Sequence, residues 1–188
     1  MTEKKSDLYY FELLSKGDQS AFQHIFNTYY KDLVVFTKQY VKDMQIAENI
    51  VQDVFMKIWS KREKIKIISN VKSYLFSAAR NTALNHLRKS SYEVAIDDEA
   101  YIRTDNKTPY EEFYGKETYN EIIKSIESLP EKCRITYSMF IFNGMSYAEI
   151  AEVMDVSINT VKTHMFRAVK MLRESLSTII LSVLFLIR

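Results

Sequence analysis

Residues 146–172, SYAEIAEVMDVSINTVKTHMFRAVKML, contain the clearest local pattern in the chain. Ser146 followed three residues later by Glu149 is a capping box, which starts a helix. Asp155 lies where a tight turn needs a left-handed backbone, a conformation that Asp tolerates. Ser157 can then cap a second helix. The residues expected to face inward are Ile150, Ala151, Met154, Val156, Val161 and Met165. The pattern predicts a helix-turn-helix.

The outward residues of the second helix are hydrogen-bonding, cationic or aromatic. They are Asn159, Thr160, Lys162, Thr163, Phe166 and Arg167. A recognition helix uses side chains of these types to contact base edges near its start and phosphates along its length. The pattern therefore indicates binding to duplex DNA, although an ordinary amphipathic hairpin with a polar outer face has the same spacing.

The rest of the chain has the apolar periodicity of helices. The predicted helices cover residues 19–42, 45–64, 70–89, 109–128, 130–143, 147–154 and 158–176. The first three, connected by short segments, can close one small bundle, and the other four make a second, smaller helical unit. We therefore predict an all-α chain with domains at 1–89 and 109–177. Residues 90–108 lose the periodicity and gather turn formers, which predicts a flexible, acidic linker.

The last segment, 178–188, is an apolar tail. Its residues 178–187, TIILSVLFLI, are almost purely apolar. A membrane-spanning helix needs about 20 such residues, so we expect no stable membrane insertion. The tail would pack back on the second domain, meet a partner protein or touch a membrane surface.

The composition excludes several classes of protein. The chain is 47% hydrophobic, which is enough for packed cores, and its 3 Gly and 2 Pro favour helices over barrels and phosphate-binding loops. The single Cys and three separated His form no metal site, and no nucleotide-binding or hydrolase motif is present. The first residues lack the apolar core of a signal peptide. We therefore expect a cytoplasmic protein that is not an enzyme and has no cofactor.

The formal net charge of +2 by itself argues against nucleic-acid binding, but the charged residues are unevenly distributed along the chain. Residues 57–89 hold nine cations and one acid, whereas residues 96–131 hold four cations and ten acids. Trp59, Tyr74 and Phe76 are interleaved with the nine cations, as in proteins that bind unstacked single strands, although buried rings beside a solvated face give the same pattern. Arg80 and Asn81 fall on the polar side of their helix.

Two motifs, in the family's order, resemble those of bacterial RNA polymerase sigma factors of the extracytoplasmic-function (ECF) group. The first, AENIVQDVFMKIW at 47–59 followed by SYLFSAARNTALNHLRK at 73–89, is similar to the region that binds polymerase and reads the −10 element. The second, LPEKCR at 129–134 followed by the helix-turn-helix, is similar to the region that reads the −35 element. The resemblance covers about residues 18–175 and is interrupted at the linker.

The resemblance implies a role for each matching position. Docking on the β′ subunit of core polymerase would use Glu48, Gln52, Asp53 and Lys57. Capture and reading of the melted −10 strand would use Lys64, Lys66, Asn70, Arg80 and Asn81. Reading of the −35 duplex would use Asn159, Thr160, Lys162, Thr163, Phe166 and Arg167. The implied partners are the β′ and β subunits of core polymerase, promoter DNA and an anti-sigma factor, and nucleotidyl transfer would belong to the core enzyme.

The chain departs from the family pattern in a few places. Asn49 and Ile50 stand where the family often has an acid and a leucine, and His164 stands where some relatives have Arg. Two rival interpretations remain at this point. A regulator with a C-terminal helix-turn-helix would bind its operator without polymerase, and a membrane-surface module would depend on the tail. A further hypothesis is that the acidic linker covers a basic face until polymerase displaces it.

Overall fold

The computed structural model describes residues 6–67, 70–94 and 116–186, with the backbone alone for 91–94, 116–121 and 176–186. These residues form eight helices and no strand, so the all-α prediction is confirmed for the described part of the chain. They belong to two compact units: the first contains α1–α4, and the second contains α5, α6, most of α7 and α8. The helices are α1 (Asp7–Ser15), α2 (Gln19–Val41), α3 (Met44–Lys61), α4 (Val71–Val94), α5 (Lys116–Glu127), α6 (Glu131–Ile141), α7 (Tyr147–Met154) and α8 (Ile158–Leu186).

The helices of the first unit begin at side-chain caps. The Asp18 carboxylate accepts the backbone N–H groups of Ser20 and Ala21 at 2.8 and 3.0 Å. The Asp43 carboxylate accepts the backbone N–H of Ile46 at 2.8 Å. Caps of this kind satisfy backbone donors that have no partner inside the helix, and each contributes about 1 kcal/mol to stability.

The core of the first unit is built from the apolar stripes of α2, α3 and α4. The largest fully buried side chains are Ile25, Leu33, Phe36, Val51, Phe55, Leu75 and Phe76. The Phe36 and Phe76 rings lie 4.9 Å apart between centroids and join α2 to α4. Phe76 is therefore a core residue, whereas Trp59 is only partly buried.

Helix α1 is absent from the predicted set of helices. It begins at Ser6, whose side chain accepts the backbone N–H of Tyr9, and it buries Phe11 and Leu14. Its side chains also contact α2, since Tyr10 stacks on His24 with ring centroids 3.7 Å apart. The bundle of the first unit therefore has four helices, one more than predicted.

The predicted end of α4 is wrong. Helix α4 continues to Val94, five residues beyond the predicted end, so the first residues of the predicted linker are helical. No Gly or Pro interrupts this stretch, and Ser, Tyr, Glu and Val continue a helix at little cost. The remainder of the predicted linker, 95–108, and the start of the predicted helix at 109–128 lie outside the described residues.

The second unit has its own core between α5, α6 and α8. Ile126, Leu129, Cys133, Ala168 and Leu172 form one buried cluster, and Ile122 and Tyr137 pack against it. Arg134 of the LPEKCR motif donates to the Glu127 and Leu129 carbonyls at 3.1 and 3.3 Å. This side chain therefore fixes the end of α5 against the start of α6.

The helix-turn-helix has the predicted local geometry. The Ser146 N–H donates to Glu149 at 2.6 Å and the Glu149 N–H donates to Ser146 Oγ at 3.3 Å, which completes the capping box. Asp155 has a φ of 54°, in the left-handed region. Ser157 Oγ accepts the Thr160 N–H at 3.1 Å and starts α8.

Helix α8 does not end near residue 176 but continues through Leu186. Neither Gly nor Pro occurs between Ile158 and Leu186, and the apolar residues of the tail continue a helix at little cost in free energy. The tail is therefore an extension of the recognition helix, and its three proposed contacts stay predictions. Within the residues that the structure describes, no helix combines the length and the apolar character needed to cross a membrane.

Candidate nucleic-acid interface

The outer face of α8 presents the residues that the sequence predicts for DNA recognition. Asn159, Lys162, Thr163, Phe166 and Arg167 are exposed and Thr160 is partly buried, whereas Val161, Met165 and Ala168 are buried on the opposite side. Phe166 is 71% exposed although it is apolar. An exposed ring on a polar helix face is suited to apolar contact in a DNA groove, for example with a thymine methyl group.

The hydroxyl groups on this face have local partners. Thr163 Oγ1 donates to the Asn159 carbonyl at 2.9 Å, and the Thr160 hydroxyl lies 2.9 Å from that of Ser157 in the cap. Thr160 therefore helps to form the helix start, whereas Lys162 and Arg167 are the two exposed cations among the predicted recognition residues. These two cations are the candidates for the strongest contacts with DNA.

In the first unit, the basic segment separates into exposed and structural cations. Lys64 and Lys66 are exposed before α4. Arg62 instead lies over the Trp59 ring, 4.7 Å from its centroid, and donates to the Trp59 carbonyl at 2.9 Å. Arg62 therefore closes the end of α3 and is less available to nucleic acid than its charge indicates.

Three predicted −10 residues lie at the start and on the outer side of α4. Asn81 is exposed, and Arg80 Nη1 lies 3.5 Å from its side-chain oxygen. Asn70 Oδ1 accepts the Ser73 N–H at 3.0 Å, which caps α4. This capping bond was not expected, and it commits the side-chain oxygen of Asn70 to holding the helix start. Residues 68 and 69 of the same segment lie outside the described residues.

The predicted polymerase-docking residues are on the outer side of α3, and an apolar residue lies among them. Gln52, Asp53 and Lys57 are exposed and Glu48 is partly buried. Met56 is 69% exposed. The periodicity of α3 could have identified Met56, because it falls off the buried stripe of Ile50, Val54 and Ile58 and follows Gln52 by four residues.

A second apolar surface is at the end of α6. Phe140, Ile141 and Phe142 are 39%, 49% and 53% exposed, and the Phe140 ring lies 5.3 Å from that of Tyr147. Helical spacing alone did not identify them, because it does not show which of three consecutive apolar residues remain exposed. Exposed apolar patches of this kind mark contacts with proteins.

A cleft of about 480 Å³ lies between the start of α6 and the middle of α8. Cys133 and His164 are among its lining residues. Burial raises the pKa of the Cys133 thiol, although Arg167 opposes this. Burial, followed by the positive charges of Lys132 and Arg167, lowers the pKa of His164. The cleft could not be predicted from the sequence, because its lining residues come from segments more than thirty positions apart.

The lowered pKa of His164 predicts that the stability of the fold depends on pH. The unfolded chain binds a proton at this site more readily than the folded one, so stability should fall as pH drops below about 6.5 and through the lower folded pKa. In His164→Gln, this part of the pH dependence should be absent. Thermal unfolding followed by circular dichroism at about pH 7.5 and about pH 5.5 measures it. An equal loss in both proteins would contradict the prediction.

Comparison with known proteins follows the division into two units. Sigma-70 region 2 matches residues 25–92, and sigma-70, region 4 matches residues 119–172. The ECF RNA polymerase sigma-E factor of Escherichia coli strain K12 is 28% identical over 178 residues, which cover 89% of this chain and 93% of that protein. The RNA polymerase sigma-H factor of Pseudomonas aeruginosa is 26% identical over 190 residues, covering 96% and 98% of the two chains.

Two solved structures have the same fold. The sigma factor RpoE from Bartonella quintana, solved in complex with the anti-sigma factor NepR, superimposes with a TM-score of 0.68 at 28% identity and covers 83% of this chain and 96% of its own. CnrH, solved with the cytosolic domain of CnrY, has a TM-score of 0.63 at 17% identity and covers 93% of this chain and 99% of its own.

The two units match sigma-70 regions 2 and 4 in that order, which identifies the chain as a transcription initiation factor with two DNA-binding regions. The chain belongs to the sigma-70 family, and its relatives over nearly the full length assign it to the ECF group. It is a non-enzymatic subunit that directs promoter-specific initiation together with core RNA polymerase.

Proposed function

We propose that the two units divide promoter recognition between them, the first docking on core polymerase and reading the melted −10 strand and the second reading the −35 duplex. The observation that carries this proposal is the outer face of α8, where Lys162, Phe166 and Arg167 are exposed opposite the buried Val161 and Met165. A helix with one buried and one base-contacting face is what insertion into a major groove requires.

The first unit would act on the −10 strand through charge and hydrogen bonding. Lys64 and Lys66 follow the strand's phosphates, and Arg80 and Asn81 contact its bases or sugars. Flipping a base out of the duplex costs a few kcal/mol, which such contacts must offset. The cap formed by Asn70 supports this role indirectly, because it fixes the start of the helix that carries Arg80 and Asn81.

Core polymerase would dock on the outer side of α3. Glu48, Gln52, Asp53 and Lys57 supply polar contacts, and the exposed Met56, one turn after Gln52 and Asp53, supplies an apolar anchor. Binding energy at protein interfaces is concentrated in a few central side chains surrounded by polar contacts. The arrangement supports docking on the β′ subunit in preference to simple solvation of the helix.

The Met56 anchor can be tested by substitution. Met56→Ala should weaken binding to core polymerase at least about fivefold, because truncating an interface anchor costs more than about 1 kcal/mol. Val35→Ala, which shortens another exposed aliphatic side chain of the same unit, should bind as the unaltered protein does. Titration of labelled sigma factor with purified core polymerase measures both affinities. Equal affinities of the two variants for core polymerase would show that Met56 is not part of the interface.

The second unit offers a surface for protein contacts as well. The exposed Phe140, Ile141 and Phe142 support a contact with the β subunit or with an anti-sigma factor. The RpoE structure from Bartonella quintana contains an anti-sigma factor, and we propose such a partner for this chain. We also propose that the protein acts in the cytoplasm, where core polymerase and promoter DNA are found.

Transcription in vitro with purified core polymerase tests the function. Adding this protein should produce transcripts that start at defined promoters, whereas core polymerase alone should not. Binding of a specific operator by the protein in the absence of polymerase, with no promoter-specific transcript in its presence, would favour a stand-alone regulator instead. Release from membranes on deletion of 178–188, with transcription unchanged, would add a membrane role.

A further inference from the structure

Arg62 lies where three segments of the first unit meet: the end of α3, the turn that follows it and the turn between α1 and α2. Its guanidinium lies over the Trp59 ring, 4.7 Å from the ring centroid, and Nη1 donates to the Trp59 carbonyl at 2.9 Å. A Cβ placed on Gly17 would lie 3.7 Å from Arg62 Nε, so the turn between α1 and α2 comes close to the guanidinium. Gly17 has a φ of 92°, which favours glycine there. A ring, a carbonyl and a neighbouring turn therefore surround one cation.

The ring beneath Arg62 is itself fixed to the helical bundle. Trp59 meets the Phe22 ring of α2 edge to face, with the ring centroids 5.2 Å apart. Both rings are partly buried, and edge-to-face contact is a preferred geometry for aromatic pairs. The position of Arg62 is therefore set by α2 and α3 together.

Ending a helix does not require this degree of burial. Arg62 Nε is shielded from solvent and has no hydrogen-bond partner within the described residues. Arg62 Nη2 lies 3.8 Å from Glu63 Oε1, but the Glu63 side chain is highly exposed, so this pair contributes little. A buried donor without a partner costs free energy. A cation needed only for the end of α3 could stay in water and avoid this cost, so its position indicates a further role.

The segment after Arg62 carries the two lysines that we propose for the −10 strand. The Lys64 N–H donates to the Lys61 carbonyl at 2.8 Å, so a tight turn joins the end of α3 to Lys64. Lys64 and Lys66 are both exposed. Arg62 is inside this turn, and its side chain is bonded back to Trp59, so it fixes where the chain leaves α3. Groups held in place before binding bind more tightly, because less freedom is lost.

We propose that Arg62 is a positioning residue for capture of the −10 strand: it holds the turn that places Lys64 and Lys66 and does not itself contact DNA. The inference rests on the proposed reading of the −10 strand by the first unit. A planar guanidinium can lie on an indole face and donate to a carbonyl at the same time, whereas the ammonium group of a lysine does not have this shape. The role therefore depends on the shape of the side chain as well as on its charge.

Binding of a single strand by the complex with core polymerase tests the proposal. The complex is titrated by fluorescence anisotropy against a labelled single strand that has the −10 sequence of a promoter that the protein uses, and core polymerase alone gives the background. Arg62→Ala should weaken binding about tenfold, the equivalent of one charge-assisted hydrogen bond. Arg62→Lys, which keeps the charge, should lose nearly as much. Lys31→Gln removes an exposed cation of α2 and should bind as the unaltered protein does.

A second set of variants shows whether Arg62 acts through the two lysines. In the Lys64→Ala/Lys66→Ala background, Arg62→Ala should cause little further loss, because the contacts that Arg62 places are already absent. A merely structural role would cause the same loss in both backgrounds. The affinity for core polymerase should be unchanged in every variant. Circular dichroism melts, with binding measured well below the lowest melting temperature, exclude unfolding as the cause.

Three results would overturn the proposal. The first is strand binding by Arg62→Lys as tight as that of the unaltered protein, which would indicate a direct contact between the charge and a phosphate. The second is an equal loss from Arg62→Ala with and without the two lysines. The third is unaltered strand binding by Arg62→Ala. In these cases promoter-specific initiation by the unaltered protein would leave the proposed function intact. An unaltered complex that neither binds the −10 strand nor initiates would disprove both.

Discussion

Phe76→Ala should lower the free energy of unfolding of the first unit by about 3–5 kcal/mol, because it deletes a large aromatic side chain from a packed core. Phe76 has no exposed surface, and its ring lies 4.9 Å from that of Phe36 on the neighbouring helix. A domain of ordinary stability has only about 5–15 kcal/mol in total. We therefore expect the variant to be largely unable to bind core polymerase at elevated temperature.

The chain contains its own reporter for this experiment. Trp59 is the single tryptophan and lies in the first unit, so its fluorescence in a urea titration follows the unfolding of that unit. Phe166→Ala makes the same chemical change at a side chain that is 71% exposed, and its urea midpoint should match that of the unaltered protein. Phe76→Leu should lose far less stability than Phe76→Ala. A Phe76→Ala midpoint close to that of Phe166→Ala would show that the α2–α4 core is not what stabilises this unit.

Local chemistry explains why the helix-turn-helix was predictable. Its capping box, its left-handed Asp155 and its second cap at Ser157 depend on residues at most four positions apart, and all three form as the sequence indicates. Local interactions of this kind hardly depend on the rest of the fold. The six residues predicted for DNA recognition then follow from the position of the second helix.

Tertiary contacts determine the features that the sequence did not reveal. Helix α1 is only nine residues long and would be marginal in isolation, so its helicity depends on burying Phe11 and Leu14 against the bundle. The cleft between α6 and α8 brings Lys132 and His164 together across two helices, a juxtaposition that spacing along the chain does not show. The structural role of Arg62 likewise needs the ring of Trp59 beneath it.

The helix ends of α4 and α8 were missed for a different reason. Both predicted ends were placed where apolar periodicity fades, but a helix needs a breaker or a cap to stop it, and neither stretch contains Gly or Pro. Periodicity reports which face is buried, not where the backbone hydrogen bonds end. Because α8 is continuous, the apolar tail extends the recognition helix, and a partner that binds the tail would contact the same helix that enters DNA.

The double variant Lys162→Ala/Arg167→Ala should abolish most promoter-specific initiation that depends on the −35 element. Each cation that contacts bases or phosphates contributes about 1–3 kcal/mol, so the two together correspond to a loss of about 30-fold or more. Both side chains are exposed on α8, and neither contributes to the buried core. The loss should therefore leave the fold and the affinity for core polymerase unchanged, which a pull-down with purified core measures.

Combining each protein variant with an intact or a scrambled −35 element distinguishes reading of that element from general DNA binding. Transcription is measured at a promoter that the protein uses, with its −35 element intact or scrambled, for each single variant and the unaltered protein. Scrambling should cost the unaltered protein most of its activity and should cost Lys162→Ala much less, because the variant has already lost that contact. An equal cost of scrambling in all three proteins would mean that the outer face of α8 does not read the −35 sequence, and reduced binding of core polymerase by either variant would contradict the division of roles between the two units.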